Sequence, residues 1–112
     1  MTTPTTETLE RGAFLVTWAG LTTAAPTGTA IERAASTDRT VQVVGNFGTG
    51  GAVRMEGSND GVNYLVLTDG QGNALLFTAE AIEAIAEATR FIRPRVSAGT
   101  GVNVNVFLYA KD

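Results

Sequence analysis

Residues 52–68 read Ala-Val-Arg-Met-Glu-Gly-Ser-Asn-Asp-Gly-Val-Asn-Tyr-Leu-Val-Leu-Thr, and the fold class turns on how that run divides. In its first part Val53 and Met55 alternate with Arg54 and Glu56. A period of two places one set of side chains in a core and the other on the outside of a sheet. Ser58, Asn59, Asp60 and Gly61 then break the alternation with residue types that accept the backbone of a tight hairpin. An apolar run resumes over residues 62–68, so the stretch reads as strand, turn, strand.

The same grammar extends in both directions. Upstream, residues 39–47 set Val41 and Val43 against Thr40, Gln42 and Val44, and Gly48, Thr49, Gly50 and Gly51 fold them back onto residues 52–57 as a hairpin. Residues 13–18, short, aromatic and β-branched, predict a buried strand containing Trp18. Between them a Thr-, Ala- and Gly-rich stretch around Pro26 offers at most a weak edge strand near residues 29–33. Downstream, Asp69 to Asn73 form another turn before a short apolar run at residues 74–77. Residues 90–96 place Ile92, Pro94 and Val96 on one face and Phe91, Arg93 and Arg95 on the other, with Pro94 pointing to an edge or a bulge. The last strand puts Val102, Val104, Val106 and Leu108 on one face. Phe107 and Tyr109 fall on the opposite face, as a second core layer or as an exposed interface patch.

One helix is expected, over residues 78–88, with Thr78 as N-cap and Ile82, Ile85 and Ala86 sharing a side. The fold class that results is all-β: an antiparallel β-sandwich, jelly-roll or immunoglobulin-like, with one short helix. Residues 1–10, Thr-rich with Pro4, are expected to be a flexible N-terminal arm, and residues 11–112 the sandwich domain.

Composition narrows the function. The chain has 112 residues, no Cys and no His. Histidine is the usual general base near neutral pH and the commonest metal ligand, and cysteine supplies thiolate nucleophiles and thiolate metal sites. Their absence argues against an enzyme and against any cofactor or metal. Eleven acidic residues outnumber eight basic ones, for a formal charge of -3, which argues against a broad nucleic-acid surface. No apolar run approaches the roughly 20 residues of a membrane span, and the N-terminus lacks the pattern of a signal peptide. Hydrophobic residues make up 44% and charged residues only 17%, so part of the surface is expected to lie under partner subunits.

Four constellations merit a chemical reading. Glu80, Glu83 and Glu87 lie at helical spacing, most simply as a solvated face rather than a catalytic carboxylate set. Asn59, Asp60, Asp69, Gln71 and Asn73 offer oxygen donors of the kind calcium accepts, though turn geometry already explains each residue type. Residues 48–51 lack the Lys-Ser/Thr of a phosphate loop. Arg90, Arg93 and Arg95 beside Phe91 admit three readings: a single-strand nucleic-acid platform, charges that protect a sheet edge, or a contact to acidic groups on a neighbouring subunit.

The phrase Val53 to Tyr64, a strand followed by Gly-Ser-Asn-Asp-Gly and then Val-Asn-Tyr, resembles β-sandwich proteins that include discoidin-like carbohydrate-binding domains and small structural proteins of tailed bacteriophages. The stretch from Thr68 through Gly72, Asn73 and Ala74 to Phe91, Ile92, Arg93 and Pro94 is more similar to the phage proteins. Together these segments cover about half the chain. A resemblance to phage capsid decoration, or cement, proteins implies a virion protein made in the host bacterial cytoplasm. Such a protein binds the outside of the capsid and bridges subunits of the major capsid protein. It also implies a homo-oligomer, a trimer or otherwise a dimer, with no nucleic acid or membrane as partner. The alternative is a carbohydrate-binding or tail-associated β-sandwich module. Interface residues are expected among Thr2, Thr3, Thr5 and Thr6 of the arm, Phe91, Arg93 and Arg95, and Phe107 and Tyr109.

Overall fold

Alternating apolar positions need a second apolar surface to cover them, and two sheets provide it for each other. The computed structural model describes residues 1–33 and 35–112. The strands are β1 (Thr5–Glu10), β2 (Ala13–Thr22), β3 (Ile31–Glu32), β4 (Asp38–Asn46), β5 (Thr49–Ser58), β6 (Leu65–Val66), β7 (Leu76–Phe77), β8 (Ala81–Ile85), β9 (Phe91–Thr100) and β10 (Asn103–Lys111). One sheet has the order β1-β2-β10-β4-β8. The other runs β3-β9-β5-β6, with β7 also on β5. All the strand pairings are antiparallel.

The inward set is the one the alternation names. Val16, Trp18 and Leu21 of β2, Val41 and Val43 of β4, and Val104, Val106 and Leu108 of β10 pack against Val53 and Met55 of β5 and Ile92 and Val96 of β9. Each such side chain contributes about 1.5–3 kcal/mol by leaving water. Trp18 is fully buried, and its indole N–H donates to the Thr29 carbonyl at 2.9 Å, so the ring's one polar atom is satisfied.

Pro94 lies in an interior strand, between β3 and β5, and not at an edge. Register makes this possible. Pro94 opposes Met55, whose N–H and carbonyl bond Leu75 and Leu67 on the far side of β5. The Pro94 carbonyl likewise points away from β5 and accepts from the Gly28 N–H at 2.9 Å. The missing proline N–H therefore removes nothing from the β5–β9 ladder.

The hairpin expected between residues 39–47 and 52–57 does not form: β4 pairs with β10 and β8 in the first sheet and β5 with β9, β6 and β7 in the second, so the Gly-rich connection between them carries the chain from one sheet to the other. Other segments also differ from their expected conformations. Residues 78–88 contain no helix; β8 occupies their centre and pairs with β4 from Arg39↔Ile85 to Val43↔Ala81. An isolated helix this short is marginal in water, whereas the free edge of β4 offers a ladder of backbone bonds. The strand also buries Ile85 and leaves Ile82 outside. Residues 1–10, expected as a flexible arm, lie along the sandwich. β1 pairs with β2 from Thr5↔Thr17 to Glu10↔Ala13, although all its side chains are exposed. Before it, Thr2 exchanges backbone hydrogen bonds with Thr27 and Thr29. Threonine suits a strand that gains backbone pairing without a core to join.

Candidate functional site

The outer face of the second sheet carries the densest group of charged side chains. Register assembles it in rows: Glu32, Phe91 and Ser58; then Arg93, Glu56 and Val66; then Arg95, Arg54 and Leu76. Glu56 is at the centre, and although it faces outward it is only 1% exposed. Arg54 Nε and Nη2 both lie 2.6 Å from Glu56 Oε2, Arg93 Nε donates to Oε1 at 2.9 Å, and Arg95 Nη1 stands 3.9 Å from Oε2. A carboxylate taken out of water is costly unless it is paired and hydrogen-bonded, and here both oxygens are engaged.

Aromatic rings frame the cluster. The Arg93 guanidinium stacks 3.7 Å from the centroid of Tyr64, and that of Arg90 lies 4.9 Å from Phe91 while pairing with Glu32. On the other side the rows end in Val66 and Leu76, which are 40% and 52% exposed. Three guanidiniums around one carboxylate leave a local charge of +2 on a chain whose net charge is -3. Arginine beside aromatic and apolar side chains is the composition enriched at protein–protein contacts.

The sequence-predicted residues fall on two surfaces. Phe91, Arg93 and Arg95 share this face. Phe107 and Tyr109 point out of the opposite sheet, so they are not a second core layer. Phe107 stands between Thr17 and Gln42, and Tyr109 between Leu15 and Thr40. Thr5 extends the Phe107 row through Thr17 at one end, and Ile82, 62% exposed, extends it through Gln42 at the other. Thr6 pairs with Val16, Thr2 lies against Gly28 beside β9, and Thr3 follows it in the connection to β1. Arg54, Glu56 and Tyr64 were missed as site residues. Alternation puts Arg54 and Glu56 outward, but only the β5–β9 register brings them beside Arg93 and Arg95.

The remaining carboxylates serve local structure. Asp60 accepts from the Asn63 and Val62 N–H groups, the Asn63 side chain and the Ser58 hydroxyl, in that order of effect, and these bonds hold its carboxyl well below the usual range. Asp69 Oδ1 accepts from the N–H groups of Gln71 and Asn73. Both oxygen-rich loops are thus closed by their own turns. Glu80, Glu83 and Glu87 share no helix face: Glu80 accepts from the Gly45 N–H, and Glu87 from the Thr68 N–H and hydroxyl. Burial alone raises the Glu87 carboxyl, and the Thr68 bonds, together with one from the backbone of Glu87 itself, outweigh it to leave the group below its ordinary value. Glu83 borders a cleft of about 250 Å³ with Asp69, Leu76 and Glu80, and a second cleft of about 300 Å³ lies between Asn59, Asn63, Leu65 and Glu87. Among the described residues no three His, Cys, Asp or Glu side chains gather as metal ligands.

No protein-family model matches the chain, and no curated protein matches it in sequence. Among solved structures, the crystal structure of the SPBc2 prophage-derived protein YomS is similar, with a TM-score of 0.61. The match covers 95% of this chain and 100% of that one at 14% sequence identity. The chain therefore shares its fold, two packed antiparallel sheets, with a protein derived from a prophage.

Proposed function

We propose that the protein is a non-enzymatic structural component of a phage particle, which binds the outside of the capsid and bridges subunits of the major capsid protein. The observation that carries this reading is the full-length match to a prophage-derived protein, in which the small sandwich accounts for all of one chain and nearly all of the other. The two outer faces support it. One presents Arg54, Arg93, Arg95 and Tyr64, the other Phe107, Tyr109 and Ile82, so a single module has two different surfaces with which to join neighbours. The second face is our choice for self-association, as a trimer or otherwise a dimer. The free edge of β1 adds a third contact, by strand addition, in the place first assigned to a flexible arm.

The carbohydrate-binding alternative loses its most obvious platform, because Trp18 is in the core. A tail position remains the second reading within the same class. The test is co-sedimentation with purified empty capsids and, in parallel, with purified tails of the phage whose genome encodes the chain. Saturable binding to capsids supports the proposal; binding to tails alone replaces it; binding to neither removes it.

A further inference from the structure

We infer that the Arg54–Arg93–Arg95 face is a preorganised receptor for carboxylates presented by a partner protein, with Glu56 as the positioning residue that holds the guanidiniums in place. This rests on the reading of the chain as a protein-binding module and names the chemistry of one of its contacts.

The inference starts from the burial of Glu56. A carboxylate on the outward side of a sheet ordinarily stays in water, yet this one is 1% exposed beneath the arginines that bond it. Arginine loses considerable rotamer freedom when fixed, and here Glu56 and the Tyr64 ring already fix Arg54 and Arg93 in the unbound chain. One carboxylate does not exhaust three guanidiniums, each with five N–H donors in a planar fork. The Arg95 side chain makes no hydrogen bond among the described residues, stands 3.9 Å from Glu56 Oε2, and is 44% exposed. The face thus holds fixed, outward donors and a charge of +2.

The partner's class follows from the surroundings. Val66 and Leu76 border the arginines, an arrangement suited to a protein segment that pairs carboxylates with apolar side chains. Outside this group the chain carries a charge of -5, its total of -3 less the local +2, which repels an extended polyphosphate. The two sources of anion are separable by experiment.

The probe is a hexaglutamate peptide, titrated at low salt into the intact, ¹⁵N-labelled chain while arginine Nε–H and backbone signals are followed. Hexaglutamine and a thymidine hexanucleotide are the comparison arms. Saturable shifts confined to residues 54, 56, 64, 93 and 95 are expected with hexaglutamate, with half-saturation on the order of 1 mM. Hexaglutamine should give none. Arg95→Gln, in the least constrained of the three, is expected to weaken binding at least three-fold with the melting temperature unchanged, and Arg11→Gln to leave it alone. Shifts that do not saturate or that spread over the whole surface, or an Arg95→Gln variant that binds equally well, overturn the site. Tighter binding of the hexanucleotide overturns the partner class. Because no capsid is present, a saturating site in a chain that ignores capsids would remove the capsid reading and leave this inference standing.

Discussion

Replacing Glu56 by Gln keeps the side chain's size and removes its charge, which tests whether the buried carboxylate holds the arginine face together. The wild-type group has three close contacts, two from Arg54 at 2.6 Å and one from Arg93 at 2.9 Å. Hydrogen bonds to charged groups contribute about 1.5–3 kcal/mol each when shielded. The arginines are not fully shielded: their side chains are 34% and 19% exposed and regain water once released, which reduces the loss by roughly half. The net cost is then about 2–4 kcal/mol. For a domain of this size about 1 kcal/mol shifts Tm by roughly 4 °C, so a fall of about 8–16 °C is expected. Thermal unfolding followed by circular dichroism at pH 7 measures it. A Tm within about 2 °C of the parent would refute the reasoning, because an exposed pair, not a buried anchor, gives so small a change.

Three further outcomes are expected. The guanidinium of Arg39 is buried, which lowers its pKa, and it donates to the carbonyls of Ser36, Arg33 and Thr89 at 2.7, 2.8 and 2.8 Å. Arg39→Met strands those carbonyls and should cost about 3 kcal/mol in a urea unfolding titration; a loss below about 1 kcal/mol would contradict the clamp. A Cβ at Gly51 would stand 1.8 Å from the Phe47 carbonyl oxygen, whereas one at Gly50, at φ 65°, meets nothing. Gly50→Ala should therefore cost about 1 kcal/mol and Gly51→Ala several-fold more, with equal Tm values counting against the geometry of this connection between the two sheets. Asp60 has a folded-state pKa below the ordinary value of 3.8, so its contribution is complete above that value and fades as pH falls toward the folded one. The Tm gap between the parent and Asp60→Asn should be full at pH 6 and narrow below about pH 4. A gap constant from pH 6 to pH 3 would show that the charge plays no part.

Much of the fold was legible because alternation is a local signal. Val41, Val43, Val53, Met55, Ile92, Val104 and Leu108 were placed inward by period two alone, and all are in the core. Residues 78–88 misled because Ile82 and Ile85 satisfy a helical spacing, while the deciding factor, an open edge on β4, belongs to a distant part of the chain. Residues 1–10 misled for a related reason: they have no core to join, but β2 offers them a backbone ladder. The candidate site was half legible. Arg93, Arg95 and Phe91 stood out as a cluster in sequence, whereas Glu56 looked like an ordinary solvated carboxylate. Its burial depends on the β5–β9 register that opposes it to Arg93, a pairing across 37 residues.

On the function proposed for it, the chain binds capsids through its arginine face. Quantitative co-sedimentation tests it most directly, with parent and Arg93→Gln/Arg95→Gln chains each added at subsaturating concentration to empty capsids of the phage whose genome encodes them. The account predicts that the parent reaches a fixed saturation ratio to the major capsid protein and that the double variant, folded by circular dichroism, needs at least ten-fold more protein for half occupancy. A parent chain that stays in the supernatant at every concentration, or a double variant that binds as well as the parent, would contradict it.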